Sequence, residues 1–221
     1  MEIRVLRNVL EANDAIAAEN RRTLNARGVY TINLIASPGA GKTTLLERTL
    51  EGLKSLFRMA VVEGDIAGSV DAERIGRHGV PVVQINTGGD CHLNASMVRS
   101  ALENLPLESV QLLFVENVGN LICPAGFDIG EDVKVAVLSV AEGDDKPEKY
   151  PLVFERSGAM VLNKIDLLGM VDFDVDKAKA RARATHHDLP IFELSARTGE
   201  GMERWLEWVR SRVEARTGVS S

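Results

Sequence analysis

Cysteine is scarce in this sequence, long hydrophobic runs are missing, and basic residues do not outnumber acidic ones. The 221 residues include two cysteines, Cys91 and Cys123, which we expect to remain thiols in a reducing compartment. Such thiols serve as buried apolar residues, as reactive groups or as metal ligands. Apolar stretches such as residues 110–115 are too short to span a bilayer, and the first six residues lack the apolar core of a signal peptide. We therefore expect a cytoplasmic protein that does not interact with membranes.

The excess of acidic residues argues against a nucleic-acid partner. The formal net charge is −6, whereas binding to a phosphate backbone requires a basic surface. The basic run at residues 177–183 has acidic neighbours and is typical of a solvated helix face. With 45% apolar and 26% charged residues, the chain can bury a sizeable core as one domain with at most a short appendage.

Buried β-rich runs alternate with helical patterns along most of the chain. Residues 3–27 have the apolar spacing of an amphipathic helix, and Gly28 is a stop signal after it. We therefore divide the chain into an N-terminal helix, residues 1–28, and a larger domain, residues 29–217. The alternation predicts an α/β fold with a mostly parallel sheet flanked by helices, in which ligands bind at the carboxyl ends of the strands. The predicted strands cover residues 30–35, 59–62, 81–85, 110–115, 133–140, 159–162 and 191–194.

A Gly-rich turn after the first strand resembles the phosphate-binding loop, or P-loop, of NTPases. Residues 36–44 read Ala-Ser-Pro-Gly-Ala-Gly-Lys-Thr-Thr, with Ala36 where the general pattern has glycine. Small residues allow backbone N–H groups to approach phosphates, and the N-terminus of the following helix adds positive potential. We expect Lys42 to reach the β- and γ-phosphates and the Thr43 hydroxyl to bind Mg²⁺. The predicted phosphate-binding residues are Gly39, Ala40, Gly41, Lys42, Thr43 and Thr44.

Two later strands end in segments that resemble the guanine-recognition motifs of GTPases. The first reads Asn-Lys-Ile-Asp at residues 163–166, and the second begins at Ser195. The carboxylate of Asp166 can accept from the ring N–H and the exocyclic amine of guanine, whereas adenine has an acceptor at the ring position. Together and in this order the motifs favour GTP and GDP over adenine nucleotides. The predicted base-binding residues are Asn163, Lys164, Asp166, Ser195 and Ala196.

Acidic residues at two further strand ends are candidates for Mg²⁺ binding and for a nucleotide switch. Residues 116–120, Glu-Asn-Val-Gly-Asn, resemble the second switch motif of GTPases, with Glu116 in place of aspartate. Asp65 follows another strand and can hold Mg²⁺ directly or through water, together with Thr43 and Glu116. Asn120 replaces the glutamine that orients water in many GTPases, so we expect slow intrinsic hydrolysis that a partner accelerates. The predicted catalytic set is Lys42, Thr43, Asp65, Glu116 and Gly119.

Both cysteines lie in loops that leave the phosphate-binding edge of the predicted sheet. Cys91 and His92 follow the strand at residues 81–85, and Cys123 follows the second switch. Two thiolates and an imidazole suit Zn²⁺ or Ni²⁺, and three ligands leave a position open for water or a second chain. Spacing alone leaves open the alternative of two thiols and a loop histidine without a metal.

These segments taken together resemble the HypB family of hydrogenase nickel-incorporation GTPases, in the SIMIBI division of P-loop proteins. The resemblance covers about residues 3–215 and implies a P-loop GTPase domain with a nickel or zinc site at Cys91, His92 and Cys123. It further implies a GTP-dependent homodimer that passes nickel toward the large-subunit precursor of a [NiFe]-hydrogenase, with help from a HypA-like nickel chaperone. The residues that carry it lie in segments 37–44, 63–65, 88–93, 116–121, 123–124, 143–147 and 163–166.

Many members of that family also have an N-terminal Cys-x-x-Cys-Gly-Cys motif or a His-rich tract. Neither occurs in these 221 residues, so the resemblance gives no ground here for a second, tight nickel site. Two other functions remain open. A urease-type nickel GTPase would carry Cys-Pro-His, whereas Ala125 follows Cys123-Pro124 here. A GTP- and metal-dependent dimeric adaptor would bind the same ligands with little turnover.

Overall fold

A parallel β-sheet forms the centre of the molecule. The computed structural model of the chain describes the backbone of residues 2–218 and the side chains of residues 10–218. Within this range seven strands pair in parallel in the order β3-β2-β4-β1-β5-β6-β7. The strands are β1 (Tyr30–Ala36), β2 (Met59–Asp65), β3 (Val82–Asn86), β4 (Leu112–Glu116), β5 (Val133–Ser139), β6 (Ala159–Asn163) and β7 (Ile191–Glu193).

Helices connect successive strands and cover both faces of the sheet. Parallel neighbours require crossover connections, and most connections of this chain contain a helix. The helices are α1 (Glu2–Ala26), α2 (Lys42–Leu53), α3 (Val70–Gly76), α4 (Ala95–Leu102), α5 (Lys146–Lys149), α6 (Pro151–Arg156), α7 (Val175–Thr185) and α8 (Met202–Thr217). None of the helices in residues 2–218 is long and apolar enough to cross a membrane.

The apolar strands bury both of their faces, which is why they read as nearly continuous hydrophobic runs. On one face Ile32 and Phe114 pack with Leu45 of α2 and Trp205 of α8. On the other face the strands pack against α4 and against α6 with α7 in two further clusters. This core holds the carboxyl ends of the strands at one edge, where the functional loops begin.

The N-terminal helix α1 lies against α4 and is attached to the fold by both apolar and polar contacts. Ala17 and Leu24 are buried, and Leu24 belongs to the same apolar cluster as α4. The Asn20 amide donates to the carbonyls of Ala95 at 2.8 Å and Ile129 at 3.0 Å. The helix therefore touches two loops that come from different parts of the chain.

The predicted α/β fold with its parallel sheet and N-terminal helix is confirmed, but the connection between β5 and β6 differs from the expectation. Two short helices, α5 and α6, occupy residues left without structure in the prediction. They have four and six residues, which is too short for a helical periodicity to show. Pro147 and Pro151 lie in their first turns, where proline is tolerated because the N–H has no helical partner.

Candidate functional site

The P-loop wraps around the N-terminus of α2 at the centre of the sheet edge. Gly41 precedes α2 with a φ of 94°, a left-handed conformation that favours glycine. A Cβ at this position would lie 2.6 Å from Nδ2 of Asn163, so the packing also requires glycine. Lys42 and Thr43 form the first turn of α2 and line a cavity of about 530 Å³. The same cavity is lined by Gly39, Thr44, Glu63, Asp65, Arg74, Glu116 and Gly119.

Asn163 joins the P-loop to both guanine-motif loops. Its amide donates to the carbonyl of Ala40 at 2.9 Å, and its carbonyl oxygen accepts from the N–H groups of Lys164 at 2.8 Å and Ala196 at 3.1 Å. Lys164 has a φ of 63°, and its Nζ donates to the carbonyl of Gly39 at 2.6 Å. These bonds hold the predicted base-binding segments and the phosphate-binding segment in one rigid unit.

A second cavity, of about 320 Å³, lies beside the P-loop at the ends of β6 and β7. Asp166, Lys164 and Ala196 line it. Oδ1 of Asp166 is buried and finds no hydrogen-bond partner among the described residues, which leaves a carboxylate acceptor available to a ligand. Ser195 is fully buried, and its hydroxyl accepts from the N–H of Thr198 at 3.1 Å. The Ser195 side chain therefore stabilises its own loop through this hydrogen bond.

Two buried glutamates stand side by side next to the P-loop. Glu63 on β2 and Glu116 on β4 are register partners and are 3% and 4% exposed. Burial and the neighbouring carboxylate of Glu116 raise the pKa of Glu63 to about 8. Burial raises the pKa of Glu116 to about 7, against the opposing effects of Lys42 and of its bond with Thr43. The sequence motifs did not assign Glu63 to the site. Its position beside Glu116 is seen only in the register of the folded sheet.

The oxygen donors near Thr43 suit Mg²⁺. The Thr43 hydroxyl donates to Oε1 of Glu116 at 2.8 Å, and Oε2 atoms of both Glu63 and Glu116 are buried without a partner among the described residues. Hard cations of this kind prefer carboxylate and hydroxyl oxygens. Asp65 differs, because its two oxygens accept from the N–H groups of Ile66 at 2.7 Å and Gly68 at 3.0 Å in its own turn. Its carboxylate holds that turn at the edge of the cavity.

Arg74 is a further residue of the cavity that the motifs did not indicate. It lies on α3, and its guanidinium donates to the hydroxyl of Thr44 at 3.3 Å and to the carboxylates of Glu47 at 2.5 Å and Asp71 at 3.0 Å. The arginine thus connects the helix after β2 to the helix that begins in the P-loop. A lone arginine in a short helix has no sequence pattern that distinguishes it from a surface residue.

The three predicted metal ligands meet at the β3–β4 side of the same edge. One ligand atom each from Cys91, His92 and Cys123 lies within 4.8 Å of the others, and all three residues are half-buried. Nδ1 of His92 is 3.7 Å from Sγ of Cys91, and the ring of His92 packs on that of Phe127 with centroids 4.0 Å apart. Cys123 opens a 3₁₀ turn, Cys123–Gly126, whose second residue is proline.

The surroundings of Cys91 and His92 shift the pKa values of both side chains. A hydrogen bond with Cys123 and burial raise the pKa of the Cys91 thiol. Burial lowers the pKa of His92, which favours the neutral imidazole that binds metals. A metal ion at this position must displace the thiol protons, so its affinity depends on pH. The chemistry of the donors, two sulfurs and one nitrogen, matches Zn²⁺ and Ni²⁺.

Comparison with known proteins agrees with this geometry. The family described as "CobW/HypB/UreG, nucleotide-binding domain" matches residues 30–193. The chain is 50% identical to the hydrogenase maturation factor HypB of Azotobacter vinelandii, over 96% of this chain and 73% of that protein. It is 41% identical to the probable hydrogenase maturation factor HypB of Methanocaldococcus jannaschii, over 95% of each. The chain belongs to the HypB family.

HypB structures superimpose on this fold along nearly its whole length. The crystal structure of HypB from Helicobacter pylori in complex with nickel has a TM-score of 0.88 and 36% identity, and covers 92% of this chain and 96% of that one. HypB from Archaeoglobus fulgidus has a TM-score of 0.87 and 38% identity, and covers 92% of this chain and 100% of that one. The fold and the family that the sequence motifs indicated are therefore confirmed.

Proposed function

We propose that this HypB chain is a GTP-hydrolysing metallochaperone. It binds nickel or zinc at Cys91, His92 and Cys123 and delivers nickel for the maturation of a [NiFe]-hydrogenase. One observation carries the proposal: two thiols and an imidazole converge beside the cavity at the P-loop, and one of the thiols lies four residues beyond the switch residue Gly119. The nickel complex of the Helicobacter pylori relative supports this assignment of the ligand class.

The residues of the cavity divide the work of GTP hydrolysis among them. Backbone N–H groups of the P-loop and the ammonium of Lys42 bind the phosphates, and the carboxylate of Asp166 reads guanine. Thr43 and Glu116 would hold Mg²⁺, with Asp65 at the edge of the cavity, and the ion would neutralise phosphate charge. Asn120 lacks the geometry of a water-orienting glutamine, so turnover is slow without a partner.

Delivery requires a partner that receives the metal. Three ligands leave a coordination position open, which a second copy of this chain or a HypA-like chaperone can approach. Ile122, next to Cys123, is 60% exposed, which leaves an apolar side chain at the entrance to the site. We propose a GTP-dependent homodimer that passes nickel to the hydrogenase large-subunit precursor. Thiolate ligands require a reducing compartment, and we place this reaction in the cytoplasm.

The test is a titration of Ni²⁺ and Zn²⁺ into the full chain in its nucleotide-free, GDP-bound and GTP-analogue-bound forms. We expect Gly119 to move when the γ-phosphate binds, and Cys123, four residues further along the chain, to move with it. The metal affinity should therefore differ between the GDP and GTP-analogue forms by about 5- to 150-fold. Cys123→Ala should lose most of the metal affinity in every form. Lys42→Ala should lose GTP turnover and keep the metal site, because its side chain faces the phosphates.

Two outcomes would overturn the proposal. Equal metal affinity in all three nucleotide states would remove the coupling, and unchanged affinity in Cys123→Ala would remove the metal site itself. Turnover measured with Lys42→Ala as the blank also separates this function from a dimeric adaptor, which would bind GTP and metal without hydrolysing at a rate above that blank.

A further inference from the structure

Leu93 connects the metal loop to the strand that ends at the nucleotide cavity. It directly follows the ligand His92, is fully buried, and rests on Gly64 of β2. A Cβ placed on Gly64 would lie 2.7–2.8 Å from Cγ and both Cδ atoms of Leu93. Gly64 stands between Glu63 and Asp65 in the strand, and Leu93 packs on its opposite face, beside Ala60 and Val62.

Asn117, directly after β4, also contacts Leu93. It is 1% exposed and directly follows Glu116. Its side-chain oxygen Oδ1 accepts from the N–H of Leu93 at 3.0 Å and from the N–H of Val118 at 3.0 Å. Its amide donates to Oδ1 of Asn33 on β1 at 3.3 Å, which fixes the orientation of the side chain.

Leu93 is therefore in contact with the ends of both strands that carry the buried glutamates. We infer that Asn117 is a positioning residue that transmits the nucleotide state to the ligand His92 through Leu93. This inference rests on the proposed function, in which metal affinity depends on the nucleotide. It adds a second route to the one along the chain from Gly119 to Cys123, so that ligands on both loops respond to the γ-phosphate.

The opposite side of the loop offers a matched control. The N–H of Ala95, two residues after Leu93, donates to Oδ1 of Asn13 on α1 at 2.9 Å. Asn13 is also buried, at 7% exposure, and also caps a backbone N–H of this loop. It comes from α1, however, and none of its bonds reaches β2, β4 or the cavity. Asn13 and Asn117 thus restrain the same segment, and Asn117 alone of the two directly follows a strand that ends at the cavity.

The experiment measures the ratio of Ni²⁺ dissociation constants in the GDP and GTP-analogue forms of the full chain. In Asn117→Ala the ratio should move toward one by about threefold or more, because Leu93 no longer follows β4. In Asn13→Ala the affinity should fall by a similar factor in both forms, and the ratio should stay within about twofold of the parent value. A role in loop stability alone would give both variants the same behaviour.

Asn117→Ser is the milder variant if Asn117→Ala does not fold. The shorter hydroxyl can still accept from Val118 within its own turn but falls short of Leu93, so the same loss of coupling is expected. Hydrogen exchange of the Leu93 amide should be faster in either variant. A parent-like ratio in the folded Asn117 variants would overturn this inference and leave the proposed function standing. A parent chain with no difference between nucleotide forms would overturn both.

Discussion

We expect nucleotide selectivity to depend on Asp166. One of its carboxylate oxygens is buried in the second cavity without a partner among the described residues, so a guanine base would supply the missing donors. Asp166→Asn should weaken GTP binding by about 2–4 kcal/mol, because an amide brings donors where acceptors are needed. Xanthosine triphosphate should regain part of the loss. Nucleotide titration monitored by calorimetry checks this, with the exposed Asp172→Asn as the control.

The pair formed by Glu63 and Glu116 predicts an unusual dependence of stability on pH. Their folded-state pKa values, about 8 and about 7, lie above the ordinary glutamate value, so the folded chain binds protons that the unfolded chain releases. Their contribution to the free energy of unfolding is complete below the unfolded pKa of about 4.5 and is lost as the pH rises through about 7–8. The nucleotide-free protein should therefore become less stable across that range.

Glu63→Gln tests this directly, because the amide cannot become charged. The nucleotide-free variant should be more stable than the parent by about 1–3 kcal/mol near pH 8.5 and show a smaller difference near pH 5. Urea unfolding in the presence of a chelator measures both values. The exposed Glu203→Gln should change neither. A parent and a variant with parallel pH profiles would contradict the assignment of a buried protonated pair.

At the scale of elements, α1 fastens both metal-ligand loops to the domain. Asn20 is 2% exposed, and its amide bonds the carbonyls of Ala95, after His92, and Ile129, after Cys123. Nη2 of Arg21 also donates to both carboxylate oxygens of Asp128, at 2.7 and 2.9 Å. The helix therefore sets the separation between two segments that lie far apart in the chain but carry the proposed metal ligands.

Asn20→Ala should destabilise the protein by about 1–3 kcal/mol, because it removes two buried hydrogen bonds. The same variant should bind Ni²⁺ more weakly in every nucleotide form, since the loops lose their common anchor. Chemical unfolding and metal titration give the two values. Arg22→Ala, at an exposed position on the same helix, should cost less than about 0.5 kcal/mol. Equal effects of the two substitutions would contradict this role of α1.

The elements that the sequence predicted well are those whose chemistry constrains short segments. Binding to phosphates and to guanine requires particular residues at fixed spacing after a strand, so residues 36–44 and 163–166 were readable as soon as the strands were found. Asn117 and Leu93 are 24 residues apart, and Asn13 and Ala95 are 82 apart. Buried amides at such separations have no local pattern, and only the folded chain shows which backbone groups they satisfy.

At the scale of the whole molecule, the proposed homodimer requires an apolar surface near the metal site. Ile122→Glu should keep the chain monomeric with a GTP analogue and Ni²⁺, because a charge would be buried at the contact. Sedimentation velocity measures the oligomeric state. Leu56→Glu is the control, since Leu56 is 49% exposed but precedes β2, at the amino ends of the strands. A dimer of unchanged stability in Ile122→Glu would place the contact elsewhere.

The order of the strands separates the two things that this protein must recognise. The metal loops follow β3 and β4 on one side of the P-loop strand β1, and the guanine-motif loops follow β6 and β7 on the other. The proposed metal site therefore lies on the opposite side of the P-loop from the proposed base-binding loops. A chain whose base preference has been changed at Asp166 should still load and release its metal in step with phosphate cleavage. Such a variant would respond to a nucleotide that the cell's other GTPases do not recognise.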